Sequence, residues 1–162
     1  MKKTLTIFLF FFSTTCFTQD LVDAQRYSVN SEGLVTDNNT GLVWMRCSLG
    51  QQYSGDGCEG DAEVYSWNEA LSRASNADYF GHSDWRLPNV KELLTLTEAD
   101  RRNPSIAEAV FPNTPAENFW TSTPSVFDEN RSWGVSFDNG ANSDHLRRWA
   151  DYSHVRLVRG NK

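Results

Sequence analysis

The chain has 162 residues, a length that suits one domain. Its apolar mass lies largely in rings, with 6 Trp, 10 Phe and 5 Tyr, and this aromatic content excludes a disordered chain. The chain carries 15 basic and 21 acidic residues. An acidic surface repels a phosphate backbone, so we expect no nucleic-acid partner.

The first residues predict an export signal. Lys2 and Lys3 form a positive start, and an apolar run follows at 5–12. This run is too short to cross a membrane as a helix, because a spanning helix needs about 20 apolar residues. We expect residues 1–18 to be a signal peptide, with cleavage after Thr18 or as late as Ala24. An N-terminal buried helix is a weaker alternative.

A second form of processing is lipid attachment at Cys16. Removal of residues 1–18 would leave 13 basic and 21 acidic residues, a net charge of −8. The sequence therefore predicts an exported protein, in the periplasm, at the cell surface or secreted, and lipid-anchored if Cys16 is modified. The mature chain, 25–162, would be one domain without a transmembrane segment.

Two cysteines remain in the mature chain, Cys47 and Cys58. An even pair in an exported protein predicts one disulfide. On the chain-entropy model it would stabilise the fold by about 3 kcal/mol. Two metal ligands are the alternative, but a zinc site would need two further Cys or His residues at fixed spacing.

The loop at 48–62 is rich in glycine and lacks an apolar period. Asp56, Glu59 and Asp61 lie close together in it, and calcium prefers such oxygen ligands. Their spacing does not match a calcium-binding loop. We therefore interpret the segment as a solvated acidic loop.

The first part of the chain predicts three short strands, at 26–29, 34–36 and 41–46, separated by turn residues. Ser66 and Glu69 then form a capping box that starts a helix ending near Asn76. Its apolar face has the spacing i, i+3, i+4, i+7. The residues on this face are Trp67, Ala70, Leu71 and Ala74.

A second helix is predicted with Pro88 as its first residue, where a missing N–H costs nothing. Its buried face is Val90, Leu93, Leu94 and Thr97. A third, shorter helix is predicted with Asn103 as N-cap and Pro104 at the first helical position, ending before Pro112. Its inward residues would be Ile106, Ala109 and Val110.

The remainder of the chain predicts strands. A strand is expected at 119–123, and alternating apolar residues predict another at 132–137. Asn139-Gly140 is a strong signal for a two-residue hairpin, with the return strand running through His145 to Trp149. A last strand is expected at 155–158. Strands, then helices, then strands predict the α+β class with an antiparallel sheet.

Several motifs between residues 26 and 160 carry a family resemblance. They are Arg26-Tyr27, Thr40-Gly41-Leu42-Val43-Trp44, Cys47 with Cys58-Glu59-Gly60, Trp67-Asn68-Glu69-Ala70-Leu71, Asp84-Trp85-Arg86-Leu87-Pro88-Asn89, Phe119-Trp120-Thr121-Ser122 and Val155-Arg156-Leu157-Val158-Arg159. With them the chain resembles the Lcl C-terminal domain family, a bacterial exported family long catalogued as a domain of unknown function.

The resemblance implies a C-type-lectin-like or formylglycine-generating-enzyme-like fold, with an antiparallel sheet, two main helices, long loops and one disulfide. Some members are surface adhesins that bind polyanionic glycans. This chain differs from them because it is acidic and has no collagen-like repeats. Fold similarity alone does not transfer function.

The sequence offers little for catalysis. It contains no G-x-S-x-G motif, and His82, His145 and His154 show no metal-ligand spacing. Formylglycine-generating enzymes use cysteines late in the fold, but residues 59–162 contain none. We therefore expect no enzyme and no cofactor. A hydrolase with an unrecognised carboxylate pair is an alternative, since such pairs form only on folding.

Binding is the better functional prediction. The candidate ligand-binding residues surround the predicted hairpin: Asp138, Asn142 and Asp144 as oxygen ligands for calcium, and Trp149 as a ring that stacks on sugar. The alternative is a solvated hairpin tip with Trp149 in the core. The predicted role is an exported binding domain, glycan-binding or adhesin-like. A periplasmic assembly protein that binds an envelope protein is the second hypothesis.

The segment Trp85-Arg86-Leu87-Pro88, together with Glu92, is interpreted as a structural signature. A buried arginine must be paired, so we expect Arg86 to pair with Asp84 or Glu92. The alternative is that Arg86, Arg156 and Arg159 together bind an anion.

Overall fold

The computed structural model describes residues 25–55 and 57–160. The predicted signal peptide, its cleavage sites, Cys16 and Asp56 lie outside the described residues. Within that described part, no helix combines the length and apolar character needed to cross a membrane.

The described chain forms short strands and two helices. In chain order they are β1 (Tyr27–Val29), β2 (Leu34–Asp37), β3 (Val43–Met45), β4 (Gln52–Tyr53), β5 (Cys58–Glu59), α1 (Trp67–Ser75), α2 (Val90–Leu94), β6 (Asn118–Pro124), β7 (Arg131–Ser136), β8 (Asn142–Arg147) and β9 (Val158–Arg159). All strand pairs are antiparallel. The predicted α+β class is confirmed.

A four-stranded sheet has the order β1-β2-β3-β9. Tyr27 pairs with Asp37 at one end of the strands, and Val43 pairs with Arg159 near the same end. The start of β1 and the end of β9 therefore lie at the same end of the sheet. They are three strand spacings apart, roughly 14 Å. The first three predicted strands are confirmed, with slightly different ends.

The disulfide loop contains a small hairpin, β4–β5, that the sequence did not predict. Cys47 and Cys58 are bonded, with their Cα atoms 5.4 Å apart, and both are buried. The predicted disulfide is confirmed.

A three-stranded sheet has the order β6-β7-β8. The turn after β7 is wider than the predicted two-residue hairpin, because the closing hydrogen bond joins the Ser136 N–H to the Ala141 carbonyl at 2.8 Å. The return strand therefore begins at Asn142 and ends at Arg147. The return strand runs through His145 as predicted, but it ends at Arg147 and not at Trp149, which lies in the turn that follows β8.

Helix α1 has the predicted start and end. The Ser66–Glu69 capping box is present, and Asn76 is the C-cap. Ala70 and Ala74 are buried on the predicted face, while Trp67 and Leu71 pack at its margin.

Helix α2 starts two residues later than predicted. Asn89, and not Pro88, sets its start: the Asn89 side chain accepts from the Glu92 N–H at 2.9 Å, and Glu92 accepts from the Asn89 N–H at 2.8 Å. Pro88 is buried just before this cap. The capping box gives the helix a start that needs no proline.

The predicted third helix is wrong. The Asn103–Pro104 bond is cis, and Asn103 has φ 55°. The Asn103 N–H donates to the Asp138 carbonyl at 2.8 Å, and the Ser105 N–H to the Phe137 carbonyl at 2.6 Å. The segment therefore runs along the β7–β8 turn, because cross-chain hydrogen bonds satisfy its backbone in place of helical ones.

Two residues of that segment are buried as predicted, Ile106 and Val110. Ala109 is exposed, and Ala107 is buried in its place. The inward side chains belong to a large apolar cluster around Trp44, Leu93 and Phe119.

A second apolar cluster holds two of the signature residues. Trp85 and Leu87 are 3% and 2% exposed and pack with Ala70, Trp120 and Leu157. This cluster joins α1 to the last part of the chain.

Arg156 is fully buried beside the disulfide segment. Its guanidinium donates to the carbonyls of Met45 and Arg46 and to Thr114 Oγ1 at 2.7 Å, and it lies 4.9 Å from the ring centroid of Phe111. Burial lowers its pKa to about 9, so the group remains a cation at neutral pH. Uncharged oxygens hold it, which makes it a structural tie.

Candidate binding surface

Five large apolar side chains are exposed on three neighbouring segments of the chain. We call them the loop-end surface: Val64 (47% exposed), Val126 (83%), Phe127 (87%), Trp149 (69%) and Tyr152 (61%). Scattered apolar residues on a surface are ordinary, whereas a group on neighbouring segments is a candidate interaction surface.

Strand pairing brings these segments together. Arg131 begins β7 and is the Cα partner of Arg147, which ends β8. Beyond this pair, the Arg148 N–H donates to the Asn130 carbonyl at 2.9 Å. The loop at 125–130 and the segment at 148–153 therefore leave the sheet side by side. Tyr65, the neighbour of Val64, pairs with Ser153 in an isolated bridge.

The loop that carries Val126 and Phe127 is held by its own hydrogen bonds. Its two ends meet where the Ser125 N–H donates to the Arg131 carbonyl at 3.0 Å. Within it, the Phe127 N–H donates to Ser125 Oγ at 3.2 Å, and the Asp128 carboxylate accepts from the Asn130 N–H at 2.9 Å. Asp128 also pairs with Arg131 at 3.1 Å. The loop is thus ordered before any ligand binds.

The turn that carries Trp149 is closed by an ion pair. Arg147 Nη2 lies 2.9 Å from Asp151 Oδ1, and the Arg147 N–H donates to the same carboxylate at 2.7 Å. These hydrogen bonds hold the pKa of Asp151 below its ordinary value. Trp149 lies at the middle of this closed turn.

Arg148 ties both loops to helix α1. Its Nε donates to the Arg131 carbonyl at 3.0 Å and to Ser132 Oγ at 2.7 Å, and its guanidinium lies 4.1 Å from the ring centroid of Trp67. The Trp67 Nε1–H in turn donates to the Thr121 carbonyl at 2.8 Å. The loop-end surface therefore rests on a rigid base.

A polar pocket of about 320 Å³ lies beside Phe127. It is lined by Ser125, Phe127, Asp128, Arg131, Asp144 and His145. Ser125 Oγ donates to Asp144 at 3.2 Å, and Arg131 Nη1 lies 3.1 Å from His145 Nδ1. Groups in this pocket can both donate hydrogen bonds to a ligand that contacts the Phe127 ring and accept hydrogen bonds from it.

The structure does not bring the four predicted ligand-binding residues together. Asp138 and Asn142 lie at the hairpin end of β8, whereas Trp149 follows its other end. Asp144 lines the polar pocket beside Phe127. The alternative that buried Trp149 in the core is wrong, because the ring is exposed.

No sequence pattern pointed to Phe127 or Tyr152. Each is one aromatic residue in a loop without periodicity, and only the pairing of Arg131 with Arg147 brings them to one surface. Among the described residues, no three His, Cys, Asp or Glu side chains are placed to hold a metal ion. Calcium binding stays a prediction.

The three arginines considered as an anion clamp have separate partners. Arg86 pairs with Glu92, as one of the two alternatives predicted. Asp84 pairs instead with Arg159, at 2.7 Å. Arg156 is buried on uncharged oxygens.

The family comparison covers most of the chain. The model of the Lcl C-terminal domain matches residues 33–159. This range contains the disulfide, both helices and the loop-end surface. A comparison with curated proteins returned no significant match.

Proposed function

The chain belongs to the Lcl C-terminal domain family, and we propose that it is an exported, non-enzymatic binding domain that takes a glycan on the loop-end surface. The observation that carries this proposal is the exposure of Phe127 and Trp149, 87% and 69%, on loops fixed by ion pairs. Because these loops are already ordered, little conformational entropy is lost when a ligand binds.

The chemistry of the surface supports a carbohydrate ligand. Aromatic rings offer flat apolar faces for the C–H side of a sugar ring, and a few fixed polar groups orient its hydroxyls. Asp128, Arg131 and Asp144 in the adjoining pocket are such groups. The net charge of −6 opposes polyanions, so the proposal is a neutral glycan.

A glycan array with the mature protein tests the proposal, followed by titration of the strongest hit. We expect the double variant Phe127→Ala/Trp149→Ala to bind at least about tenfold more weakly, since a buried aromatic contact is worth more than one factor of ten. Val29→Ala, an exposed apolar truncation on β1, is the matched control and should bind normally. Absence of any glycan hit, or equal binding by the double variant, contradicts the proposal. An EDTA arm tests calcium dependence.

A protein partner is the second candidate, and the aliphatic residues favour it. Val64 and Val126 offer no ring for sugar stacking, but they extend the apolar area as in the centre of a protein interface. A pull-down from the envelope fraction should then recover a stoichiometric partner with the wild type. Val126→Asp should lose that partner, while Val29→Asp retains it.

Export is part of the proposal and has its own test. Cleavage after Thr18 or Ala24 and lipidation of Cys16 give different masses for the mature protein. Intact-mass measurement of protein recovered from the envelope distinguishes them. A chain that keeps its first 18 residues contradicts the export proposal.

A further inference from the structure

A pocket of about 230 Å³ lies beside the disulfide and shares no residue with the loop-end surface. Its aromatic walls are Tyr53, Tyr79 and Phe80, and Arg46 and Gln52 also line it. Drug-sized ligands occupy pockets of about 300–1,000 Å³, so this pocket has room for one small ring.

Phe80 is held in a strained backbone conformation. Tyr79 and His82 exchange both backbone hydrogen bonds, at 3.1 and 3.0 Å, around the central residues Phe80 (φ 56°) and Gly81 (φ 71°). Two positive φ angles are typical of a type I′ turn, whose first central position favours Asn, Asp or Gly. A bulky residue there is an outlier.

Core packing does not explain Phe80, because its side chain remains 39% exposed. Strained residues of this kind cluster at functional sites, where the surrounding structure keeps a side chain in place. The turn holds the Phe80 ring at the pocket beside Tyr79.

The facing wall is fixed as well. Tyr53 packs directly on Gly33, where an added Cβ would lie 2.6 Å from the ring, and its hydroxyl donates to the Gly55 carbonyl at 2.7 Å. The Arg46 guanidinium lies 5.7 Å from the Tyr53 centroid and donates through Nε to the Val110 carbonyl at 3.0 Å. The pocket is therefore preformed.

Three polar groups on the lining residues make no hydrogen bond within the described chain. They are Nη1 of Arg46, the amide of Gln52 and the hydroxyl of Tyr79. Unpaired donors and acceptors around aromatic rings suit a ligand with one apolar face and several hydroxyls.

We propose that this pocket binds one neutral pyranose ring, with its C–H face on Tyr79 and Phe80 and its hydroxyls bonded by Arg46, Gln52 and Tyr79. The Arg46 charge disfavours a quaternary ammonium ligand, which aromatic cages otherwise bind. The site is additional to the glycan surface proposed above, and it stands independently because the two share no residues.

Amide NMR titration of the mature protein with methyl glycosides of glucose, galactose, mannose and N-acetylglucosamine tests this site. We expect saturable shifts at Tyr53, Tyr79 and Gly81 with at least one glycoside. Phe80→Gly should weaken that binding at least tenfold while keeping or raising the melting temperature, because glycine adopts positive φ without strain. If Phe80 were needed only for structure, Phe80→Gly would lower the melting temperature.

Two matched variants complete the test. Phe80→Tyr keeps the ring and should keep binding, and Phe127→Ala changes only the loop-end surface and should leave the pocket titration intact. No saturable shift with any of the four glycosides overturns the proposal. Binding by Phe80→Gly as tight as that of the wild type also overturns the proposal. Amide shifts confined to Trp149 and Tyr152 overturn it too, but they would support the glycan surface.

Discussion

Arg86 and Glu92 form a two-point ion pair, with Nη1 2.8 Å from Oε2 and Nη2 2.7 Å from Oε1. The same Glu92 carboxylate accepts the Asn89 N–H that caps helix α2. One acidic side chain thus fixes both the signature segment and the helix that follows it.

We expect Glu92→Gln to lower the free energy of unfolding by about 1–3 kcal/mol, because it removes a charged hydrogen-bonded partner at a part-buried site. Chemical denaturation measures this change. Asp84→Asn is the matched control, since it breaks a pair on the surface with Arg159 and should change stability little. A loss of equal size in both variants would contradict the role given to Glu92.

Stability should fall in acid through the same carboxylate. Burial raises the pKa of Glu92, but hydrogen bonds from Arg86 and Asn89 outweigh it and hold the pKa below its ordinary value. The contribution is then complete above the unfolded pKa, about 4.3, and is lost as pH falls through the lower folded value. We expect the melting temperature to fall less steeply between pH 6 and pH 3 for Glu92→Gln than for wild type.

Loss of the disulfide should cost about 3 kcal/mol of stability, because the Cys47–Cys58 bridge closes a loop of sequence separation 11. Cys47→Ser/Cys58→Ser and reduction of the wild type should lower the melting temperature to a similar extent. The reducing agent should leave the double variant unchanged. A shift of the double variant by reductant would point to a different bond.

Arg156→Met should destabilise the protein by about 2–5 kcal/mol, because it leaves the carbonyls of Met45 and Arg46 buried without a donor. Arg156→Lys should also destabilise, since an ammonium cannot reproduce the planar fork. Arg159→Met on the surface is the control. If Arg156→Met left the stability unchanged, the hydrogen bonds of Arg156 would contribute nothing to it.

Gly134→Ala should destabilise by about 1–3 kcal/mol through overpacking in β7. A Cβ at this position would lie 2.2 Å from Leu146 Cδ1 and 3.1 Å from the Phe119 carbonyl oxygen. The leucine end can move, but the backbone oxygen of the paired strand cannot. Gly57→Ala, which meets nothing within 4 Å, is the control and should melt as wild type does.

Local patterns predicted the elements whose causes are local. The Ser66–Glu69 box gave the start of α1, and the alternation at 132–137 gave β7. Asn103-Pro104 misled because the same two residues can start a helix or line a turn. The choice was made by bonds to Phe137 and Asp138, more than thirty residues away.

The binding surface was harder to predict for the same reason. Trp149 was a candidate, yet its expected neighbours Asp138 and Asn142 lie at the other end of β8. Its actual neighbour, the loop with Phe127, is set by strand register and by the Arg148 contact to Trp67. No spacing rule in the chain encodes a contact of that kind.

The start of β1 and the end of β9 lie at the same end of the four-stranded sheet. The chain could therefore be joined there and opened elsewhere without a change of fold. A short glycine-rich linker could join residue 160 to residue 25, with new termini opened between Asn139 and Gly140. Such a circular permutant would keep every strand pairing, so the same domain could be displayed from the hairpin end.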